Sequence, residues 1–190
     1  KVPAQKTLLM EQSTLRLVFK HAVEAGDLVQ LPFMKAKRAK TNRRSAFDVQ
    51  EYARLMRAAR QGVKIAKHPR IKRDRMLLEL YVRLLVYTGA RVGELRHIRW
   101  SDVELFMTGN GKQQEALRLW VDGKTGKRAV IAAKPAKKIV QRLLQYYGYA
   151  DLDEARHGRR HIFEHADGTV INTFAVGFKS LLKKAGLEAD

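Results

Sequence analysis

Arg91 and Glu94 lie three residues apart, directly after the turn-forming pair Thr88-Gly89. This spacing places two side chains on one face of a helix, where the carboxylate can orient the guanidinium. A planar guanidinium can grip two oxygens of one phosphate, and breaking a phosphodiester without a metal requires such cations. We therefore predict that Arg91 binds phosphate at a catalytic site and that Glu94 orients it. A surface ion pair at the start of a helix is the alternative.

The helices that would position this pair follow from the spacing of apolar residues. The segment after Thr88-Gly89 predicts a helix that starts near Arg91, and a basic stretch, Lys64–Arg75, precedes the helix before it. Asp48 predicts an N-cap and Glu51 a capping box for an earlier helix. Helices are predicted over Leu8–Ala25, from Asp48 onward, and over Met76–Tyr87, 136–147 and Asn172–Ala185, with Asn172 as N-cap and Gly186 at the end.

A small sheet is predicted between these helices. Leu117, Leu119 and Val121 alternate with Arg118 and Trp120, which is the period of a strand with one buried face. Turn signals at 110–111 and 122–126 divide this region into three antiparallel strands, and the third is predicted over 128–132. The predicted fold class is therefore mainly α with a small three-stranded antiparallel sheet (α+β).

Composition indicates the partner. The chain has 38 Lys and Arg against 19 Asp and Glu, so its formal net charge is +19, which favours a nucleic acid. The longest apolar run is too short to span a bilayer, so no membrane association is expected. Without cysteine there is no thiolate metal site. The basic residues predicted to contact DNA are Lys35, Lys37, Arg38, Lys40, Arg43, Arg44, Lys72, Arg73, Lys127 and Arg128.

Two further patterns could indicate sites. His157, His161 and His165 recur every four residues, but Gly158 interrupts any helix that would align them, so a solvated loop is favoured and no metal is expected. Tyrosines near Tyr147 fall at the end of an amphipathic helix and are not predicted to be nucleophiles.

The segment 87–102, Tyr-Thr-Gly-Ala-Arg-Val-Gly-Glu-Leu-Arg-His-Ile-Arg-Trp-Ser-Asp, resembles the first catalytic-arginine box of the tyrosine recombinases, the phage integrase family. Asp122–Arg128 resembles that family's lysine-bearing hairpin, with Lys124 at the matching position and Lys127 as the alternative. The resemblance implies that Lys124 donates a proton to the leaving 5′-oxygen. A basic hairpin that contacts phosphate only is the less specific interpretation.

The resemblance predicts the domain organisation. Residues 1–34 resemble the end of the family's helical core-binding domain, 35–46 form a basic linker, and 47–190 form the N-terminal portion of a catalytic domain. In that family the hairpin is followed by a His-x-x-Arg box on a later helix and then by the nucleophilic tyrosine. The last predicted helix, Asn172–Ala185, resembles the helix that comes just before that box, so we expect a truncated catalytic domain that binds DNA without cleaving it.

The resemblance also implies an activity for the whole protein: site-specific DNA recombination or integration through a 3′-phosphotyrosyl intermediate, without a cofactor. The expected partner is double-stranded DNA at an attachment or recombination site. The whole protein is expected to be tetrameric on DNA, these 190 residues monomeric in isolation, and the location cytoplasmic beside the nucleoid.

The sequence leaves alternatives open. A non-catalytic basic DNA- or RNA-binding module explains the charge but not the arginine box. A Xer-like resolvase, a transposon recombinase, a telomere resolvase or a topoisomerase with the same chemistry would share the box. Phage or mobile-element integrase is the preferred interpretation.

Overall fold

A computed structural model describes residues 5–34, 46–109, 114–123 and 126–187 of the protein. The chain divides into two units, Lys1–Ala46 and Phe47–Asp190. In the first unit, helix α1 (Gln5–Glu24) buries none of its residues. Gly26 follows with φ 84°, a left-handed conformation that favours glycine at a helix end.

The second unit contains a series of helices with one antiparallel sheet between them. Its helices are α2 (Val49–Lys64), α3 (Pro69–Thr88), α4 (Val92–Arg96), α5 (Pro135–Tyr147), α6 (Leu152–His157) and α7 (Ala175–Ala185). Its strands are β1 (Val103–Thr108), β2 (Gln114–Gly123) and β3 (Gly126–Ala132). The predicted fold class, mainly α with a three-stranded antiparallel sheet, is confirmed for the described part of the chain.

Different local signals determine where α2 and α3 begin. Asp48 accepts the Glu51 N–H at 2.7 Å and Glu51 accepts the Asp48 N–H at 3.0 Å, which confirms the predicted capping box. Helix α3 begins at Pro69, seven residues before the predicted start, so residues 69–75 of the basic stretch are helical. Proline suits the first helical position and His68 accepts the Arg70 N–H at 3.3 Å, and these local signals extend the helix beyond its apolar stripe.

The sheet has strand order β1-β2-β3 and a regular register. Leu119 pairs with Val103 on one side and with Val130 on the other. Leu117, Leu119 and Val121 are buried, whereas Trp120 is 37% exposed, as the alternation predicts. Strand β3 begins at Gly126, two residues before the predicted position.

The core of the second unit lies where α3, α5 and the inner face of the sheet meet around Trp100. This indole is fully buried in the 3-10 turn Trp100–Asp102 that leads into β1. The rings of Tyr147 and Tyr149 meet it edge to face, with centroids at 6.1 and 5.7 Å. Trp100 is therefore a central residue of this core.

The last third of the chain departs from prediction in two places. The region predicted as a polar loop contains α6, which Asp151 caps by accepting the Glu154 N–H at 2.8 Å. Asn172 does not cap α7; the Asn172 carbonyl accepts a hydrogen bond from Arg96 Nη1 at 2.6 Å, and α7 begins three residues later. Gly186, with φ 64°, ends α7 as predicted. None of the helices in the described residues is long and apolar enough to cross a membrane.

Candidate phosphate-binding site

Arg91 is positioned by the break between α3 and α4. Gly89 ends α3 with φ 63° and donates its N–H to the Leu85 carbonyl at 2.9 Å. The Thr88 hydroxyl accepts the Ala90 N–H at 3.2 Å, which holds the turn. Arg91 then precedes the first residue of α4 in extended backbone conformation, and its side chain is 66% exposed.

Glu94 joins two arginines from distant parts of the chain. Its Oε2 accepts the Arg91 backbone N–H at 2.9 Å and the Arg128 Nη2 at 2.8 Å, while its Oε1 accepts the Arg91 Nη1 at 3.0 Å. The Glu94 side chain is 4% exposed, and that of Arg128 is 42% exposed. A buried carboxylate therefore orients two solvent-facing guanidiniums.

The charge state of Glu94 follows from these contacts. The hydrogen bond from the Arg91 backbone N–H, with the hydrogen bond and positive charge of Arg128, holds the pKa of Glu94 below its ordinary value despite desolvation. Glu94 is therefore ionised at neutral pH. Among the described residues of this cluster, two guanidiniums and one carboxylate leave one positive charge in excess, which suits an anion.

Gly123 brings the end of β2 against this cluster. A Cβ on Gly123 would lie 2.6 Å from Glu94 Oε1, closer than real contacts allow. Gly123 also pairs with Gly126, the first residue of β3, so the hairpin end borders the arginine site. Glycine is required here for close approach rather than for a positive φ.

The other predicted site residues have different surroundings. Lys127 Nζ lies 3.8 Å from Asp102 Oδ1 and its side chain is 62% exposed. Lys72 is exposed on α3. Arg73 is only 16% exposed and donates Nε and Nη2 to Asp74 Oδ1 at 3.1 and 2.9 Å, so much of its hydrogen-bonding capacity is already used.

Seven predicted residues lie outside the described residues: Lys124, proposed as proton donor, and the linker residues Lys35, Lys37, Arg38, Lys40, Arg43 and Arg44. Two features of the site were not predicted from the sequence. The sequence predicts that Arg128 contacts DNA but not that it shares Glu94, and it indicates Gly123 only as a turn residue. Arg128 and Glu94 are 34 residues apart in the sequence, and no periodic pattern of residues predicts a contact over that distance.

The remaining candidates contribute little to this site. Across the described ranges, no group of three or more His, Asp or Glu side chains could hold a metal ion. His157 ends α6 rather than lying in a loop. The Tyr147 hydroxyl donates to the Ile162 carbonyl at 3.0 Å, and burial raises the pKa of Tyr147 to about 12, so it is poorly suited to act as a nucleophile.

Comparison with known proteins shows where this chain belongs. Residues 45–190 match the phage integrase family. The integrase of Enterobacteria phage 434 is 31% identical over 93 residues, which cover 48% of this chain and 23% of that integrase. The structure resembles the XerA recombinase at a TM-score of 0.50 and 22% identity, over 95% of this chain and 56% of XerA.

A XerH site-specific recombinase bound to its difH substrate has a TM-score of 0.49 at 19% identity, over 76% of this chain and 37% of that one. The 190 residues thus span less than two thirds of the length of each of these proteins. The match over residues 45–190 covers most of the chain, and the chain belongs to the phage integrase family of tyrosine recombinases.

Proposed function

We propose that these 190 residues belong to a site-specific DNA recombinase or integrase. The whole protein would cut one DNA strand with a tyrosine, form a 3′-phosphotyrosyl link, and release a 5′-hydroxyl that later reseals the strand. The observation that carries this proposal is the exposed Arg91 guanidinium, held by the buried Glu94 beside Arg128. The family to which the chain belongs supports the reaction class.

Each side chain of the site has a proposed role. Arg91 would bind the non-bridging oxygens of the scissile phosphate and stabilise the negative charge that gathers there. Glu94 would act as a positioning residue, and Arg128 would contact the same or a neighbouring phosphate. Lys124 would protonate the leaving 5′-oxygen, with Lys127 as the alternative donor.

We further propose that the 190-residue chain binds duplex DNA but does not cleave it. Beyond the hairpin, the one His-x-x-Arg spacing in this sequence is His157–Arg160, where His157 ends α6 and Arg160 pairs with Glu164, and no tyrosine follows it. Transition-state stabilisation and covalent catalysis would then both be incomplete. Full-length protein would assemble as a tetramer on DNA beside the nucleoid, and this chain alone would be monomeric.

The test of DNA binding is its salt dependence. With a net charge of +19, the chain should bind duplex DNA with a log affinity that falls by about 0.9 per neutralised phosphate for each decade of salt. Filter binding over a salt series would measure the slope, and an affinity that stays flat between low and high salt would refute the proposal.

The test of chemistry uses a version of the protein extended past Asp190 and a nicked suicide substrate that traps the covalent adduct. Arg91→Ala should lower the trapping rate by at least about a hundredfold, a loss typical of removing one transition-state contact. If Arg91→Ala traps the covalent adduct at the wild-type rate, Arg91 takes no part in the chemical step. Weaker binding with unchanged trapping at saturating DNA would limit Arg91 to a role in DNA binding.

A further inference from the structure

A second arginine cluster lies away from Arg91, around the buried carboxylate of Glu79 on α3. Glu79 is 2% exposed. Its Oε1 lies 3.3 Å from Arg83 Nη1, 3.5 Å from Arg142 Nη1 on α5, and 3.9 Å from Arg60 Nε on α2. Three helices therefore each direct one guanidinium toward the same oxygen atom, within the described part of the chain.

The charges of this cluster do not balance. The three described guanidiniums and the single carboxylate leave two positive charges in excess. Asp74, an acidic residue earlier on α3, lies 2.9 Å from Arg73 Nη2 and 4.0 Å from Arg70 Nε, so its charge is already matched locally. Two positive charges thus remain available to an external anion.

Burial of Glu79 does not account for this excess. One well-placed arginine neutralises a carboxylate, and Arg83, 18% exposed and one helical turn away, is placed to do so. Buried ion pairs contribute little net stability, and further guanidiniums add repulsion between like charges. Arg60 and Arg142 therefore call for another explanation.

Arg60 and Arg142 also face solvent. Their side chains are 58% and 45% exposed, although both reach Glu79. A guanidinium has five N–H donors, and Arg142 directs one of them to Glu79 at 3.5 Å. The other donors of this planar group can serve a tetrahedral oxyanion, while the buried carboxylate restrains the orientation of the group.

The Glu79 cluster and the turn that carries Arg91 lie at different heights along α3. Thr88 follows Glu79 by nine residues of α3, which is about 14 Å along the helix axis. At about 3.4 Å per nucleotide of one strand, this distance corresponds to roughly four base pairs. The axial separation is therefore shorter than one turn of duplex DNA.

We propose that Arg60 and Arg142, restrained by the buried Glu79, form a second phosphate-binding site that takes a backbone phosphate of the bound DNA. The inference rests on the proposed DNA-binding function and adds a contact that the arginine box does not supply. The shared chemistry is a phosphate group, whose sources are a DNA backbone or free inorganic phosphate.

The experiment compares Arg60→Gln, Arg142→Gln and their double variant with wild type in filter binding over a salt series. Each single variant should bind duplex DNA about three- to tenfold more weakly at moderate salt and reduce the salt slope by about 0.9, irrespective of DNA sequence. Arg142→Lys should restore most of the slope, because charge rather than hydrogen-bond geometry sets counterion release.

Arg156→Gln is the matched control, since it removes the same charge from an exposed position on α6. It should change the affinity less than about twofold and leave the slope unchanged. Thermal unfolding of every variant shows whether the fold is retained. A double variant that loses stability but keeps the full salt slope would overturn the proposal, because a structural network alone would behave in this way.

A second arm measures the rise in Tm caused by inorganic phosphate relative to chloride at equal ionic strength. If the double variant loses this rise in Tm but binds DNA as wild type does, the site binds free phosphate and the proposed DNA contact is wrong. If wild type fails to bind DNA, the proposed function fails, while the phosphate arm still decides whether the site exists. If the double variant behaves like wild type both in DNA binding and in the phosphate measurement, the proposed phosphate site is wrong.

Discussion

At the scale of single residues, the site depends on one ionised carboxylate. Glu94 receives hydrogen bonds from the Arg91 backbone, the Arg91 side chain and the Arg128 side chain, so its negative charge sets the direction of both guanidiniums. Because these contacts lower the pKa of Glu94, they stabilise the folded state more when the carboxylate is charged.

The first prediction is a pH-dependent loss of stability in Glu94→Gln. A depressed folded pKa contributes stability above the ordinary value of 4.5, and this contribution disappears as pH falls through the folded pKa. Urea unfolding should show Glu94→Gln less stable than wild type at about pH 7, with the difference shrinking below about pH 4.5. Glu115→Gln, which removes an exposed partner of Lys137, is the control. An equal deficit at about pH 3 and about pH 7 would contradict the assignment.

The second prediction concerns the close approach of Gly123 to Glu94. Gly123→Ala would place a methyl group 2.6 Å from Glu94 Oε1, so the carboxylate must shift relative to its arginine partners. We expect a loss of about 1–3 kcal/mol in the free energy of unfolding, as for other overpacked positions, together with weaker DNA binding.

Gly93→Ala is the matched control for that substitution. Gly93 lies within α4, and a Cβ there meets no other described atom within 4 Å. Alanine in a helix is better than glycine by roughly 0.5–1 kcal/mol, so this variant should be neutral or slightly stabilised. If Gly93→Ala and Gly123→Ala change the free energy of unfolding in urea equally, the steric explanation for Gly123 is wrong.

At the level of the helices and strands, a hydrogen bond from α3 helps to position α4. The buried Tyr81 of α3 donates its hydroxyl to the carbonyl of Val92, the first residue of α4, at 2.8 Å. Its ring also packs edge to face on Phe163, with centroids 5.1 Å apart. The start of α4, and with it Arg91, is thus tied to the main core.

The third prediction tests this link with Tyr81→Phe, which keeps the ring and removes the hydroxyl. The free energy of unfolding should fall by about 0.5–1.5 kcal/mol, or somewhat more because the Val92 carbonyl loses its donor. Hydrogen exchange should show faster opening of α4. Tyr146→Phe, at a 40% exposed position, should change neither quantity. Unaltered exchange in Tyr81→Phe would mean that α4 is held by packing alone.

At the scale of the whole molecule, the excess of positive charge is spread over both units. The sequence places many of its lysines and arginines in the proposed linker, and others occur on α2, α3, β3 and α5. Basic residues in both units favour binding to the DNA backbone at many points, largely independent of base sequence.

The fourth prediction concerns the linker. Replacement of Lys35, Lys37, Arg38, Lys40, Arg43 and Arg44 by glutamine should weaken DNA binding equally for all sequences. The salt slope should fall by about 0.9 for each phosphate that the segment no longer neutralises. Thermal unfolding of the second unit should stay unchanged. A slope equal to that of wild type would show that this segment does not bind DNA.

Much of the fold was predictable because it depends on local periodicity. Helices α2 and α5 have apolar residues at helical spacing, and β2 alternates between buried and exposed side chains. The start of α3 and the short α6 were missed, since their boundaries depend on caps at His68 and Asp151 rather than on an apolar stripe. Asn172 was wrongly predicted as the cap of α7, because this helix begins three residues later at Ala175, whose N–H is accepted by the Thr173 hydroxyl at 3.1 Å.

Local sequence is enough to pair Arg91 with Glu94, because a glycine turn followed by a three-residue helical spacing brings these groups together without help from distant residues. Tertiary structure alone decided that Arg128 shares Glu94, that Gly123 lies against it, and that three helices direct arginines at Glu79. Such contacts join residues far apart in the chain, and the packing of helices and sheet, rather than any local pattern, sets their distances.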